Sequence, residues 1–283
     1  MQGKIAIVTG ANAGIGKITA RELARMGAHV VMVARNRQRG ETALAEIKAA
    51  TGSNQIDLLL ADLSSQTSIR QLATDFQARY NRLDVLINNA GAFFMKRQES
   101  IDGLEMTFAL NHLGYFLLTN LLLDIIKDST PARIVNVSST AHHRVQLDFS
   151  DLQNKKSYRG FQVYSQSKLA NLLFTYELAR RLEGSGVTVN ALHPGFVTSN
   201  FAKNNGLAAR LGMNLLNLLH VGRTPEEGAK TSIYLASSPE VAAVTGQYFV
   251  DKKAVRSSPA SYNEADARKL WQISEQLTGL EQS

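Results

Sequence analysis

Apolar residues along this chain come in two rhythms. Short runs rich in Val, Ile and Leu occur at Ile5–Thr9, Val30–Ala34, Gln55–Leu60, Val85–Asn88, Arg133–Ser138, Val187–His193 and Gln247–Val250. Several lack polar alternation, as strands do when both faces of a parallel sheet are covered by helices. Between them, apolar positions repeat at helical spacing near 15–26, 37–50, 66–80, 102–127, 163–184 and 225–237. This alternation predicts an α/β fold: a doubly wound parallel sheet of about seven strands with helices on both faces. No Pro/Gly/Ser-rich linker, composition break or internal repeat interrupts it, so residues 1–283 are expected to form one domain.

Two stretches depart from the alternation. Residues 196–221 separate the sixth strand from the next helix, and within them 206–220 is amphipathic and apolar-rich. Beyond the last strand, Asn263–Leu277 has helical period and carries the only tryptophan, Trp271.

Composition narrows the function. The chain has 283 residues, 44% of them hydrophobic and 19% charged, which suits a globular protein with a sizeable core. Its net charge is +7, but Lys and Arg are scattered, so a solvated basic surface is expected and no nucleic-acid partner. There is no cysteine, which excludes disulfides, thiolate metal sites and a thiol nucleophile. No run of about 18 apolar residues predicts a membrane-spanning helix. The first strand begins without a preceding signal-like segment, so a cytoplasmic location is the expectation.

The first strand runs into Thr9-Gly10-Ala11-Asn12-Ala13-Gly14-Ile15-Gly16, which opens a helix. A phosphate can approach such a turn because side chains are absent, and the helix N-terminus offers free N–H groups and partial positive charge. The spacing is a variant of the common dinucleotide fingerprint. The second strand ends in Val33-Ala34-Arg35-Asn36-Arg37. A carboxylate there would bind a ribose 2′-hydroxyl and repel a 2′-phosphate. Arg35 stands instead, and a guanidinium pairs well with phosphate. NADP(H) is therefore the expected cofactor, with Arg35 first and Arg37 or Arg39 as helpers.

Tyr164-Ser165-Gln166-Ser167-Lys168 lies near the start of a predicted helix, where residues four apart share a face. A nearby cation favours phenolate, and a phenol tuned toward neutrality can exchange a proton with a carbonyl or alcohol oxygen while hydride moves. Ser138-Ser139, Asn88-Asn89-Ala90-Gly91 and Pro194-Gly195-Phe196-Val197-Thr198 follow other strands at the carboxyl edge, where open α/β sheets bind ligands. Asn111 lies in the helical connection between the fourth and fifth strands.

In these motifs, over essentially its whole length, the sequence resembles the short-chain dehydrogenase/reductase family. Asp62-Leu63 adds a further match. The resemblance implies a single-domain Rossmann fold and a catalytic tetrad of Asn111, Ser139, Tyr164 and Lys168. Tyr164 would be the acid/base, Ser139 would polarise the carbonyl, Lys168 would lower the phenol pKa and bind the nicotinamide ribose, and Asn111 would hold a relay water. The implied cofactor shell comprises Gly10, Asn12, Gly14, Ile15, Gly16, Arg35, Asp62, Leu63, Asn88, Ala90, Gly91, Tyr164, Lys168, Pro194, Gly195, Val197 and Thr198. Asp62 would touch the adenine, Asn88 and Ala90 the ribose side, and Thr198 the carboxamide. Of the two serines, Ser139 is chosen by motif alignment, leaving Ser138 to backbone support or a cofactor contact.

Val137-Ser-Ser-Thr-Ala-His-His143, Tyr164-Ser-Gln-Ser-Lys-Leu-Ala-Asn171 and the tail with Trp271 look like the retinol dehydrogenase and WW-domain oxidoreductase branch. That branch prefers NADP(H). The expected reaction is reduction of an aldehyde or ketone, with a lipophilic small-molecule substrate, or its reverse. A different reading is an NADP(H)-binding sensor or scaffold without turnover.

Some features stay open. His142-His143 has no partners at metal-ligand spacing, so a loop or pocket rim is expected and no metal site. His193 reads as a structural strand-end residue. Residues 200–222 read as a substrate lid, while 206–220 could instead be a peripheral membrane contact. Residues 255–283 are expected as a helical tail, and the 92–101 and 142–160 loops should shape the pocket. The resemblance implies a homodimer or homotetramer through the 102–127 and 163–184 helices, whose apolar surface suits a core equally well.

Overall fold

The computed structural model describes residues 1–197 and 222–280. Its strands are β1 (Ile5–Thr9), β2 (His29–Ala34), β3 (Ile56–Leu60), β4 (Val85–Asn88), β5 (Ala132–Val137), β6 (Val187–His193), β7 (Tyr248–Val250) and β8 (Lys253–Val255). They form one sheet in the order β3-β2-β1-β4-β5-β6-β7-β8. All neighbours are parallel except β7 and β8. The order reverses between β1 and β4, and this switch point leaves a crevice at the carboxyl ends of the strands.

Strand alternation sorts the core into two layers. Ala6, Val8, Val30, Met32, Val85 and Ile87 pack on one side of the sheet. Ile7, Val31, Val33, Leu86 and Ile134 pack on the other. On the first side lie α1 (Gly14–Arg25) and α2 (Arg37–Thr51). The second side is covered by α3 (Gln66–Gln77) and by a broken helical connection. That connection runs through α4 (Met106–Phe108), a π-helical turn at Ala109–Leu113, α5 (Gly114–Leu121) and α6 (Leu123–Asp128). The long helix α7 (Gly160–Arg181) follows on that side, and α8 (Pro225–Ser237) returns to the first. Thr224 caps α8 in a reciprocal box with Glu227, ahead of Pro225.

The tail ends in α9 (Glu264–Thr278), capped by Asn263. Its buried residues Ala267, Leu270, Trp271, Ser274 and Thr278 recur at helical spacing. Trp271 meets Phe116 edge-on at 4.9 Å between ring centroids, and the Arg181 guanidinium lies 4.0 Å from the Trp271 ring centroid. Gln66 and Arg70 donate to the carbonyls of Leu277 and Thr278 and so hold the end of the tail.

Three local features differ from the sequence expectation. The sheet gains an eighth strand: Asp251 and Lys252, both at positive φ, turn the chain back to pair Lys253–Val255 with β7. Those three residues are exposed and carry no core pattern. The helix expected at 102–127 begins only at Met106 and is interrupted by the π-turn. The helix expected from 163 begins at Gly160.

Candidate active site

Thr9 pins the switch point together. Its hydroxyl donates to the Ile87 carbonyl and accepts from the backbone N–H groups of Asn89 and Ala90, at 2.8 and 3.0 Å. The turn that follows has Gly10 and Gly14 at φ +66° and +53°. A Cβ on Gly16 would lie 2.5 Å from both the Gly10 carbonyl oxygen and the Asn89 amide nitrogen. The first turn of α1 holds no acidic residue, and its N-cap residue, Ala13, supplies no side-chain cap. The free N–H groups therefore face a phosphate-sized approach, and the turn fits a dinucleotide.

One cavity of about 2050 Å³ opens along this edge. It is lined by Gly10, Asn12, Gly14, Ile15, Gly16, Arg35, Asp62, Leu63, Ala90, Gly91, Pro194, Gly195 and Val197 from the expected cofactor shell, and by Ser139, Tyr164 and Lys168. Drug-sized ligand pockets span roughly 300–1,000 Å³, so this one has room for a dinucleotide and a second molecule. The Arg35 side chain is 65% exposed and its guanidinium is 3.5 Å from Asp62, whose other oxygen accepts from Ser64. Arg39 lines the cavity, whereas Arg37 turns to Glu41.

Ser139 caps a short 3-10 turn, Thr140–Arg144, by accepting from Ala141. Its hydroxyl stands beside the Tyr164 phenol. Ser138 is buried and its hydroxyl donates to the Lys168 carbonyl at 2.8 Å, so although both serines border the cavity, Ser138 braces α7 while Ser139 stands beside Tyr164. Lys168 is also buried; its Nζ donates to the Val137 carbonyl at 3.1 Å and lies 5.7 Å from the ring centroids of Tyr164 and Tyr115. Asn111 sits in the π-turn, clamped to both backbone groups of Ala92 and donating to the Ser167 hydroxyl. It does not line the cavity, but a Cβ on Gly91 would fall 3.2 Å from Asn111 Oδ1 and 3.5 Å from Lys168 Nζ. π-turns recur at functional sites.

Burial governs the charges here. It pushes the Tyr164 phenol up to about 12, against the pull of the Ser139 hydroxyl. It pulls the Lys168 ammonium down to about 7. The sequence predicts a phenol tuned toward neutrality by the cation; in the polypeptide alone, desolvation governs both groups and favours both neutral forms.

Asn88 is not brought to the cavity. It is fully buried and donates to Thr119 and to Asn136, both at 2.9 Å. Asn89, one residue on, lines the cavity instead. In a strand, neighbours face opposite ways, and the doubled asparagine hides which one points out. Thr198, the 206–220 segment and all of 200–222 but Gly222 lie outside the described residues. His143 lines the cavity, but His142 is fully buried, contrary to a loop or rim position. His193 lines the cavity as well, its Nδ1 accepting from the Thr140 N–H. Among the described residues, no three His, Cys, Asp or Glu side chains group as metal ligands.

The sequence does not single out the apolar part of the cavity lining residue by residue. Phe93, Phe94, Met106, Leu110, Leu147 and Phe161 belong to it, on the loops expected to shape the pocket and on the helices that follow them. Their signal would have been apolar side chains in segments without secondary-structure period.

The comparisons with known proteins decide the family. The short chain dehydrogenase family model matches residues 4–209. The chain belongs to the short-chain dehydrogenase/reductase family. As a family member, it is an NAD(P)-using oxidoreductase that interconverts carbonyl and alcohol. Within the family it is retinol dehydrogenase-like: it is 46% identical to human retinol dehydrogenase 14 over 99% of this chain and 88% of that one. Its fold is similar to the crystal structure of an uncharacterised protein from Mycobacterium paratuberculosis. There the TM-score is 0.80 and the identity 35%, covering 98% of this chain and 94% of that one. It is also similar to the RhlG/NADP active-site complex of Pseudomonas aeruginosa, with TM-score 0.70 and 29% identity over 88% and 94% of the two chains. No helix among the described residues of this short-chain dehydrogenase is long and apolar enough to cross a membrane.

Proposed function

We propose that this protein is an NADP(H)-dependent reductase of lipophilic aldehydes or ketones, working reversibly on the corresponding alcohols. One observation carries the reading: a single cavity joins the glycine turn and Arg35 to Ser139 and Tyr164, and its lining there adds Phe93, Phe94, Met106, Leu110, Leu147 and Phe161 among polar neighbours such as Gln98 and Gln162. The Gly10–Gly16 turn and the α1 N-terminus would hold the pyrophosphate. Arg35, with Arg39 beside it, would take the 2′-phosphate. Asp62 and Leu63 would border the adenine, and Asn89, Ala90 and Gly91 the inner ribose. Pro194, Gly195 and Val197 would flank the nicotinamide, with Thr198 proposed for its carboxamide.

When bound, the dinucleotide supplies hydride for reduction and, once oxidised, a positive ring that favours phenolate. The protein's part is to orient and to move a proton. The Ser139 hydroxyl polarises the substrate oxygen, and Tyr164 gives that oxygen its proton or takes it back. Lys168, 5.7 Å from the centre of the Tyr164 ring, would favour the phenolate when protonated and hold the nicotinamide ribose, and Asn111 keeps the Ala92 backbone and Ser167 fixed nearby. Phe93, Phe94 and the other apolar lining residues would exclude water from the reacting carbon.

The test is NADPH oxidation with a panel of aldehydes and ketones of increasing chain length. Turnover that rises with apolar length and is abolished by Tyr164→Phe is expected. Tight NADPH binding without turnover of any carbonyl would favour a sensor instead.

A further inference from the structure

We propose that His142 is a positioning residue for the Ser139–Tyr164 pair, bridging the backbone of Ser139 to the backbone of Ser258 in the C-terminal tail. The inference rests on the carbonyl–alcohol reading of the site.

The bridge is defined at both ring nitrogens. The Ser258 backbone N–H lies 3.1 Å from His142 Nε2. A backbone N–H can only donate, so Nε2 carries the lone pair and the proton sits on Nδ1. Nδ1 then donates to the Ser139 carbonyl oxygen. That carbonyl also accepts from the His142 backbone N–H at 3.2 Å. Both nitrogens of a fully buried, neutral ring are therefore spent on backbone groups, and one of these groups belongs to the serine that touches Tyr164. Burial holds the ring's pKa down to about 4, which keeps it neutral over the working range.

The ring has little freedom. It lies edge-on to Tyr248 of β7 at 5.1 Å and against His143 at 4.1 Å between centroids. The tail end of the bridge is fixed in turn to α7. Ser257 Oγ lies 2.6 Å from both the Tyr176 hydroxyl and Ser261 Oγ, and Tyr176 stacks on Tyr262 at 5.2 Å. Helix α7 also carries Tyr164 and Lys168. The tail thus closes a loop of contacts: α7 holds Ser257–Tyr262, Ser258 orients His142, and His142 orients the peptide of Ser139 against Tyr164. A rotation of that peptide would swing the Ser139 hydroxyl away from the substrate oxygen, and misplacements near 1 Å cost about a hundredfold in rate.

A histidine that merely fills the core would give the same burial, so the test separates the two ends of the ring. His142→Asn places an amide N–H near the Nδ1 position and gives up the tail contact. His142→Gln reaches toward Ser258 with its carbonyl oxygen and gives up the donor to Ser139. The expected result for His142→Gln is a loss of kcat of about tenfold or more, with melting temperature, KM and NADPH affinity near wild type. For His142→Asn, which keeps the donor to Ser139 but loses the tether to Ser258, kcat falls by less than in His142→Gln while the melting temperature falls. A His142→Gln enzyme with normal kcat, or kcat and melting temperature falling together in both variants, overturns the proposal. Nitrogen NMR of the wild-type ring gives a reading independent of turnover: a proton on Nε2 instead of Nδ1 also overturns it. Tyr164→Phe in the same assay keeps the two ideas apart. If that variant is fully active, the reading of the site is wrong; if it is dead while His142→Gln is normal, only the positioning role is lost.

Discussion

Lys168 Nζ stands 5.7 Å from the centre of the Tyr164 ring, buried and donating to the Val137 carbonyl. The helix brings the two side chains to one face, and the sheet beneath removes them from water. The ammonium is then held at a cost that the fold must carry elsewhere.

That cost predicts a trade between stability and activity. A Lys pKa lowered from 10.5 to about 7 makes the charged form more than about 3 kcal/mol worse folded than unfolded. The penalty is fully present below pH 7, is relieved as pH rises from about 7, and vanishes above about 10.5. Lys168→Met should therefore melt higher than wild type at pH 6, by roughly 5 °C or more, with the gap closing as pH rises towards 10. Turnover should be lost. Calorimetry across that range checks it; a variant that melts lower at pH 6 contradicts the argument.

Arg35 makes its nearest charged contact with Asp62 at 3.5 Å and is otherwise open to the cavity. Arg35→Ala should weaken NADPH by about tenfold or more while changing NADH by less than about twofold, since a guanidinium–phosphate pair is worth about 1.5–3 kcal/mol. Titration of both coenzymes by fluorescence decides this. Equal losses for the two would assign Arg35 elsewhere.

Asn88 is expected to matter for folding rather than for the cofactor. Asn88→Ala leaves the Asn136 amide oxygen and the Thr119 hydroxyl without their buried partner, at about 1–3 kcal/mol. Urea unfolding should register that loss, with coenzyme affinity per folded molecule unchanged. Asn89→Ala should do the reverse only in part, because the Asn89 amide also holds the Thr9 carbonyl.

Gly16→Ala places a methyl group 2.5 Å from the Gly10 carbonyl oxygen, a backbone atom that cannot step aside. The turn should open and NADPH binding should fall by at least about a hundredfold, more than 2 kcal/mol of affinity. Calorimetric titration beside a melting curve separates loss of binding from loss of fold. Retained affinity would show that the turn is not the phosphate cradle.

The sequence by itself determined the layers, because each strand's continuous Val/Ile/Leu run and each helix's apolar stripe is a local property. Ile5–Thr9, Val85–Asn88, Val187–His193 and the helix at 225–237 were legible to the residue. The separation of Tyr164 and Lys168 is likewise local, since helical geometry alone sets residues four apart on one face. Tertiary structure decided what period cannot encode. It chose between Asn88 and Asn89, since only the neighbouring strands define which side of β4 is core. It gave Ser139 to Tyr164 and Ser138 to the Lys168 carbonyl, and it buried His142 against a tail more than a hundred residues away. It also set the balance of desolvation against charge at Tyr164 and Lys168, because burial is a property of the packed whole and not of the five residues that carry the motif.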